Sequence, residues 1–160
     1  MNTLNDKDLE HLKTCLDLAK EALKAGDKPF GSILVNQHNE VIATARNRVN
    51  EINQLAHPEF ELAEWAMKHL SSEERKQSTM YTSGEHCPMC SGALAWSEIG
   101  SVVYLSSGAQ LAHWLQEMNV PEAPIHFLPI EKIAKNVIVK GPASGELLEA
   151  IKELHRKSYQ

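Results

Sequence analysis

The amino-acid sequence predicts an α/β fold, in which a mixed β-sheet is covered by helices on both faces. Two observations lead to this fold class. Apolar residues recur every three or four positions in segments of helical length, which indicates helices with one buried side. Short β-rich runs bounded by turn residues lie between these segments and alternate with them. At 160 residues the chain is long enough for one domain with a single hydrophobic core.

The N-terminal segment is predicted to form a helix over residues 6–25. Asn5 is placed to cap it, Leu4 and Leu9 to form a hydrophobic staple, and Gly26 to end it. Its apolar face is expected to comprise Leu9, Leu12, Leu16, Ala19 and Leu23. Two β-rich runs follow over residues 30–35 and 41–45, joined by five polar residues, and we expect them to form a hairpin.

The middle of the chain is predicted to contain two helices separated by a strand. The first helix should begin at Pro58, because proline suits the first helical position, and continue to about His69. Its inward residues are expected to be Leu62, Ala63, Ala66, Met67 and Leu70. A strand is expected over residues 78–83, followed by a helix from Pro88 to about Glu98 that Gly100 ends.

The C-terminal third is predicted to contain buried strands over residues 101–105 and 125–128, with a helix over 110–118 between them. After Pro129 the pattern weakens, and Gly141-Pro142 is interpreted as a linker into a last helix over 145–157. We therefore expect one domain over residues 1–160, with 141–160 as a C-terminal helical extension. The terminal Tyr159-Gln160 is either a free end or a cover for a site.

Charge and composition favour a small-molecule substrate over nucleic acid. The formal net charge is −5; residues 131–160 carry +2, which leaves −7 on the rest, whereas a nucleic-acid-binding protein normally has a basic surface. Charged residues throughout the first twenty positions argue against a secretory signal, and no apolar run is long enough for a membrane span. Three cysteines do not resemble a disulfide framework, so a reducing cytoplasm is expected.

The most informative motif is His57-Pro58-Glu59, followed thirty residues later by Cys87-Pro88-Met89-Cys90. One imidazole and two thiolates supply three ligands for a tetrahedral Zn²⁺ and leave the fourth position open for water, as a catalytic zinc site requires. Both sets of ligands lie at predicted helix N-termini, whose partial positive charge favours thiolate over thiol. The Glu59 carboxylate is then free to move protons.

Other interpretations of these residues need comparison. A redox-active pair of cysteines would follow the first strand of a thioredoxin-like fold, whereas this pair follows two predicted strands and two helices. A closed structural zinc site needs a fourth ligand, and the nearby candidate is His86. Because adjacent side chains at positions 86 and 87 tend to diverge, we favour the open, catalytic site.

The combined motifs resemble the cytidine deaminase-like superfamily of zinc-dependent nucleobase deaminases, whose signature is H-x-E…P-C-x-x-C. Residues 29–35, Pro-Phe-Gly-Ser-Ile-Leu-Val, resemble the P-F-G-A-x-x-V strand of guanine deaminases and tRNA adenosine deaminases. Residues 87–93 resemble the C-P-M-C-x-G-A segment. The resemblance covers residues from about 8 to 128 and implies a three-layer α/β/α sandwich with a five-stranded mixed sheet, and a homodimer.

The resemblance also implies a set of site residues. His57, Cys87 and Cys90 bind zinc, Glu59 is the catalytic proton carrier, and substrate contacts are expected at Asn47, Phe30, Pro58 and His86. Two of these depart from the family pattern: Pro58 replaces the usual alanine and lacks an N–H, and His86 replaces the usual proline. Both positions lie in the expected pocket wall, so they bear on the substrate more than on the reaction.

Three functions remain open at this point. The first is zinc-dependent hydrolytic deamination of a free nucleobase or nucleoside, guanine-like on the residue pattern. The second is adenosine-to-inosine deamination of tRNA, which would need a basic rim around the pocket. The third is a non-catalytic subunit with a structural zinc, which the retention of Glu59 argues against.

Overall fold

The computed structural model describes residues 3–160, and these form a five-stranded mixed sheet between two layers of helices. The elements in chain order are α1 (Asp6–Lys24), β1 (Gly31–Val35), β2 (Val41–Arg46), α2 (Pro58–His69), α3 (Ser72–Lys76), β3 (Thr79–Gly84), α4 (Pro88–Trp96), β4 (Ser101–Ser106), α5 (Gly108–Glu117), a 3₁₀ turn (Ile130–Lys132), β5 (Ile138–Lys140) and α6 (Glu146–Lys157). The predicted α/β/α sandwich is confirmed.

The sheet has the strand order β2-β1-β3-β4-β5. The hairpin strands β1 and β2 pair antiparallel, and β1 also pairs antiparallel with β3. The pairs β3/β4 and β4/β5 are parallel, each with an intervening crossover. Because β3 and β4 are parallel, their carboxyl ends lie at the same end of the sheet, where Gly84 and Ser106 are neighbours.

Two apolar clusters, one on each face of the sheet, replace the single core expected from the sequence. Alternating residues separate them: Ile33 and Tyr81 face α1, α5 and α6, whereas Leu34 and Met80 face α2 and α4. Helix α1 lies so close to β1 that a Cβ at Gly31 would overlap the Leu18 side chain and the Cys15 carbonyl. Glycine at this position therefore permits the close packing of the first helix on the sheet.

Local signals place the helix starts accurately. Asn5 forms a capping box with Asp8 at the start of α1, and Pro58 occupies the first turn of α2 after the extended residue His57. Two residues predicted to face the core are exposed instead: Leu9 is 37% exposed and Met67 is 52% exposed, so these two predictions are wrong. Both positions lie at the border of the apolar stripe, where periodicity cannot separate a buried position from a half-exposed one.

The C-terminal third differs most from the sequence prediction. The strand expected over residues 125–128 is wrong: Ile125, Phe127 and Leu128 are exposed and lie outside any strand. The fifth strand is instead Ile138–Lys140, which pairs with β4 at the edge of the sheet. A three-residue edge strand carries too little periodicity to be recognised. Helix α4 also ends earlier than predicted, with Glu98 in a left-handed conformation after its last turn.

Helix α6 packs on the same side of the sheet as α1. Its buried residues Ile151 and Leu154 belong to the cluster formed by α1, β1 and α5. The segment predicted as a linker is itself held to the sheet, because the Ala143 N–H donates to the Leu105 carbonyl at 2.9 Å and Ala143 is buried. Within residues 3–160 no helix has the length and apolar character needed to cross a membrane.

Candidate metal centre and active site

The metal-ligand candidates lie at the N-termini of α2 and α4. His57 is the N-cap of α2 and Cys87 is the N-cap of α4, and neither side chain caps its own helix, which leaves both free for another partner. Cys90 lies one helical turn after Cys87, so both sulfurs face the same side. Because α2 and α4 pack on the same face of the sheet, the two helix starts converge.

The three ligand atoms form one compact group. The His57 Nδ1 atom lies 3.6 Å from the Sγ atoms of both Cys87 and Cys90. All three candidate ligand atoms lie within 4.8 Å of one another. Zinc–sulfur and zinc–nitrogen bonds of about 2.3 and 2.1 Å at a tetrahedral angle imply a nitrogen–sulfur separation of about 3.6 Å. The group therefore has the spacing of a tetrahedral metal site with one position unfilled by protein.

The electrostatics of this group favour a metal cation. The pKa of Cys87 is lowered to about 4, chiefly because the Cys90 thiol donates a hydrogen bond to its sulfur and also because His57 lies beside it. The pKa of His57 is raised, chiefly by its hydrogen bond to Cys87. The Cys87 thiolate thus faces His57 and the Cys90 thiol, and a divalent cation that binds all three displaces the Cys90 proton.

Glu59 lies beside the metal group as a buried carboxyl. It is 5% exposed, and burial raises its pKa to about 7, partly offset by the nearby His57. The Cys90 side chain lies within hydrogen-bonding reach of the carboxyl group. The Ser32 hydroxyl on β1 contacts its Oε1 atom at 3.4 Å. Ser32 is not among the site residues that the sequence predicts.

The expected substrate-contact residues occupy different environments. Asn47 is buried, its backbone N–H donates to the Phe30 carbonyl, and its Oδ1 accepts from the Val49 N–H at 2.8 Å. The Phe30 ring lies against Gly84, at 3.3 Å from the position of a Cβ there, and edge-on to the His155 ring at 5.1 Å. The backbone hydrogen bond from Asn47 to Phe30 therefore joins the residue after the hairpin to the residue before it.

Pro58 and His86 are both enclosed. Pro58 is buried in the first turn of α2. His86 is 2% exposed, burial lowers its pKa to about 3, and neither ring nitrogen has a hydrogen-bond partner among the described residues. His86 is not part of the compact ligand group, so the group has the three protein ligands of an open site.

A groove and a wider depression on the surface are relevant to the site. A groove of about 200 Å³ opens beside His57, with Arg48, Leu55 and Phe60 among its lining residues. A wider one of about 460 Å³ lies at the opposite end of β3, where it is lined by Asp8 and Thr79 among others. Of these two, only the smaller groove has a metal-ligand candidate, His57, among its lining residues.

Comparison with known proteins decides the family. The model of the MafB19-like deaminases matches residues 6–141, which include all the candidate ligands and Glu59. The chain belongs to this deaminase family. It is therefore a hydrolase that acts on carbon–nitrogen bonds, and its similarity to cytosine, guanine and tRNA adenosine deaminases confirms the predicted superfamily.

Curated relatives of this deaminase differ in substrate. A probable cytosine deaminase of Schizosaccharomyces pombe is 33% identical over 71% of this chain and 69% of its own length. A tRNA-specific adenosine deaminase of Bacillus subtilis is 36% identical over 59% of this chain and 58% of its own length. A guanine deaminase of the same organism is 35% identical over 63% of this chain and 65% of its own length. This deaminase thus spans less than two thirds of the two Bacillus proteins.

Solved structures agree on the fold. The guanine deaminase of Nitrosomonas europaea has a TM-score of 0.67 over 99% of this chain and 87% of its own, at 19% identity. The Bacillus subtilis guanine deaminase has a TM-score of 0.60 over 79% and 83%, at 28% identity. These values establish the shared architecture of the deaminase and leave its substrate to be argued from the site.

Proposed function

We propose that this deaminase uses Zn²⁺ to hydrolyse the exocyclic amino group of a nucleobase or nucleoside, with a guanine-like base as the best candidate, and releases ammonia. The observation that carries the proposal is the pairing of an open three-ligand group, His57, Cys87 and Cys90, with the buried carboxyl of Glu59 beside it. A structural metal has no use for such a carboxyl group.

The donor set favours zinc over other common cations. One imidazole and two thiolates suit Zn²⁺, whereas Mg²⁺ and Ca²⁺ prefer oxygen ligands. When bound there, zinc supplies a water molecule whose pKa is lowered toward neutrality. His57, Cys87 and Cys90 would hold the ion.

Glu59 is the group that moves protons in this proposal. It takes one proton from the attacking water and passes it to the ring nitrogen beside the attacked carbon as the C–O bond forms. It then takes the remaining proton of that oxygen and passes it to the amino group, whose bond to carbon breaks to release ammonia and leave a carbonyl. One carboxyl group can serve both transfers because it acts as a base and then as an acid. Its burial excludes bulk water that would otherwise compete for the proton.

Asn47 supports recognition of a base through one defined group. Its Oδ1 already accepts from the Val49 N–H, so the Nδ2 amino group remains as a donor. A donor at this position would pair with an acceptor on the substrate, such as a carbonyl oxygen or a ring nitrogen. Phe30, in contact with Gly84 at the end of β3, would supply an apolar wall for a planar ring.

Pro58 and His86 would shape which base is preferred. Pro58 offers no N–H to the substrate, which removes one donor from the pocket wall. His86 is held neutral by burial, and within residues 3–160 neither of its ring nitrogens has a hydrogen-bond partner. A polar atom of the substrate, reached through a small adjustment of the wall, would satisfy one of them.

The tRNA alternative is less well supported. Its support is the similarity to a tRNA-specific adenosine deaminase and the net charge of +2 on residues 131–160. The remaining residues, however, have a net charge of −7. A polyanionic substrate would meet net repulsion over most of the protein. We therefore place free bases and nucleosides first.

We further infer a homodimer in a reducing, cytoplasmic compartment. The α2 and α4 layer and the loop before α2 carry exposed apolar side chains, namely Ile52, Leu55, Met67 and Trp96, the last 87% exposed. Exposed apolar side chains near the site are consistent with an interface with another protein surface. All three cysteines are free, as a reducing compartment requires.

The experiment is ammonia release by zinc-loaded protein across a panel of aminopurines, aminopyrimidines, aminotriazines and their nucleosides, with a tRNA transcript as a separate arm. We expect turnover of at least one free base or nucleoside, highest for a guanine-like ring. Turnover of tRNA alone would favour the alternative. No turnover of any member would contradict the proposal.

A further inference from the structure

Two buried hydroxyl groups lie between the sheet and Glu59. Ser32 on β1 and Thr82 on β3 are directly paired across the two antiparallel strands, and both are 0% exposed. Their hydroxyl oxygens are 2.8 Å apart, and Thr82 donates to the Gly84 carbonyl at 3.0 Å. Strand pairing therefore fixes the positions of both hydroxyl groups, and the Thr82 hydrogen is used in its bond to Gly84.

Ser32 points at the catalytic layer. Leu34, two positions along the same strand and so on the same face, packs with Leu62 of α2. On that face the Ser32 Oγ atom lies 3.4 Å from Glu59 Oε1. Among the hydrogen bonds between side chains in residues 3–160, this one alone joins Glu59 to a hydroxyl group.

A buried hydroxyl at this point needs an explanation. Burying a hydroxyl costs free energy unless it is hydrogen-bonded, and an alanine would satisfy the packing without that cost. Alanine is the residue in the P-F-G-A-x-x-V pattern that this strand resembles. Because Thr82 donates its own hydrogen to Gly84, Ser32 can bond Thr82 only as a donor. While Ser32 donates to Thr82 its oxygen accepts from a protonated Glu59, and when Glu59 is ionised the Ser32 hydrogen can turn to it instead. Ser32 can thus contact the Glu59 carboxyl group with or without a proton on that group.

We propose that Ser32 is a positioning residue for Glu59, whose hydroxyl, anchored by Thr82, holds the carboxyl group in the orientation that proton transfer requires. The inference rests on the proposed role of Glu59. Since the related pattern has alanine here, Ser32 refines the orientation and does not supply the reaction. Its removal should therefore lower turnover partially and leave substrate binding intact.

The kinetic test compares Ser32→Ala with Ser106→Ala on the best substrate of the ammonia panel. Ser106 is a matched control, because it is also a buried strand serine with one hydrogen bond, to the Ser83 carbonyl at 3.0 Å. We expect Ser32→Ala to lower kcat about tenfold with KM unchanged, as the loss of one hydrogen bond would do. Ser106→Ala should keep the wild-type kcat. Equal kcat values for Ser32→Ala and wild type overturn the inference while the proposed function stands.

An unfolding test decides the contact independently of turnover. Thermal unfolding is measured for wild type, Ser32→Ala, Glu59→Ala and the double variant, all at the same saturating zinc concentration. If Ser32 interacts with Glu59, Ser32→Ala shifts the unfolding temperature by a different amount in the presence and absence of Glu59. Equal shifts overturn the inference, including in the case where no base on the panel is deaminated and the proposed function itself fails.

Discussion

Substitution of His155 by phenylalanine should make the protein more resistant to acid. His155, on α6, is 2% exposed, and its Nε2 atom has no hydrogen-bond partner among the described residues. The ring lies between Phe30 and Trp114, with centroids 5.1 and 6.1 Å away. Burial, with a smaller contribution from the nearby Lys28, lowers its pKa from 6.5 to about 4. Phenylalanine retains the ring and removes the titrating group.

The size and sign of the effect follow from the two pKa values. Above pH 6.5 the imidazole is neutral in both the folded and unfolded chain, so His155 adds no pH dependence. As the pH falls below 6.5 the unfolded chain takes up a proton that the folded chain refuses, and stability declines until about pH 4. The total loss is about 3 kcal/mol, of which about 2 kcal/mol accrues by pH 5.

The assay is urea unfolding of wild type and His155→Phe at pH 7.5, 6.5, 5.5 and 5.0. Other groups, the metal ligands included, titrate in both proteins and cancel in the difference. We expect the variant to gain about 2 kcal/mol over wild type between pH 7.5 and 5.0. His113→Phe is the control, since His113 is exposed on α5, paired with Glu117, and should show no such gain. A constant difference across this range would refute the burial argument.

Two further predictions concern the metal and the substrate. Cys87→Ala or Cys90→Ala should lose zinc and much stability, because metal binding and folding are coupled; metal analysis and thermal unfolding check this, and full zinc retention in both variants would contradict the ligand assignment. Pro58→Ala should keep the metal and change the relative kcat/KM values of the substrates by roughly ten to a hundred fold, enough to alter their order. Asn47→Ala should lower kcat/KM for all of them. An unchanged order with Pro58→Ala would restrict Pro58 to starting the helix.

The sequence predicts the parts of the fold that depend on local chemistry. Asn5 and Pro58 place the starts of α1 and α2 because a cap and a first-turn proline act within a few residues. The same reasoning fails at residues 125–128, where an apolar run lies exposed, and at β5, whose three residues are a strand only because β4 is beside them. Pairing between distant segments leaves no periodic signal.

The candidate metal group was predictable, and its surroundings were not. His57, Cys87 and Cys90 are fixed by residue type and by their places at helix starts. Ser32 contacts Glu59 because α2 packs on β1, which the order of elements along the chain does not reveal, although a lone hydroxyl in an apolar strand is a signal. His155 reaches Phe30 from a segment with no motif. The Lys28 ammonium lies over the Tyr159 ring, 3.5 Å from its centroid, a contact between the α1–β1 loop and the last residues that no local pattern indicates.

The most direct test of the account is Glu59→Gln, assayed for both metal content and ammonia release. Glutamine keeps the shape of the side chain and removes its capacity to carry a proton. We expect one zinc per chain, a wild-type unfolding profile, and turnover lowered by a factor of about 10² to 10⁴ on the best substrate. Wild-type turnover in a zinc-loaded Glu59→Gln protein would contradict the central claim that Glu59 carries the protons of the deamination.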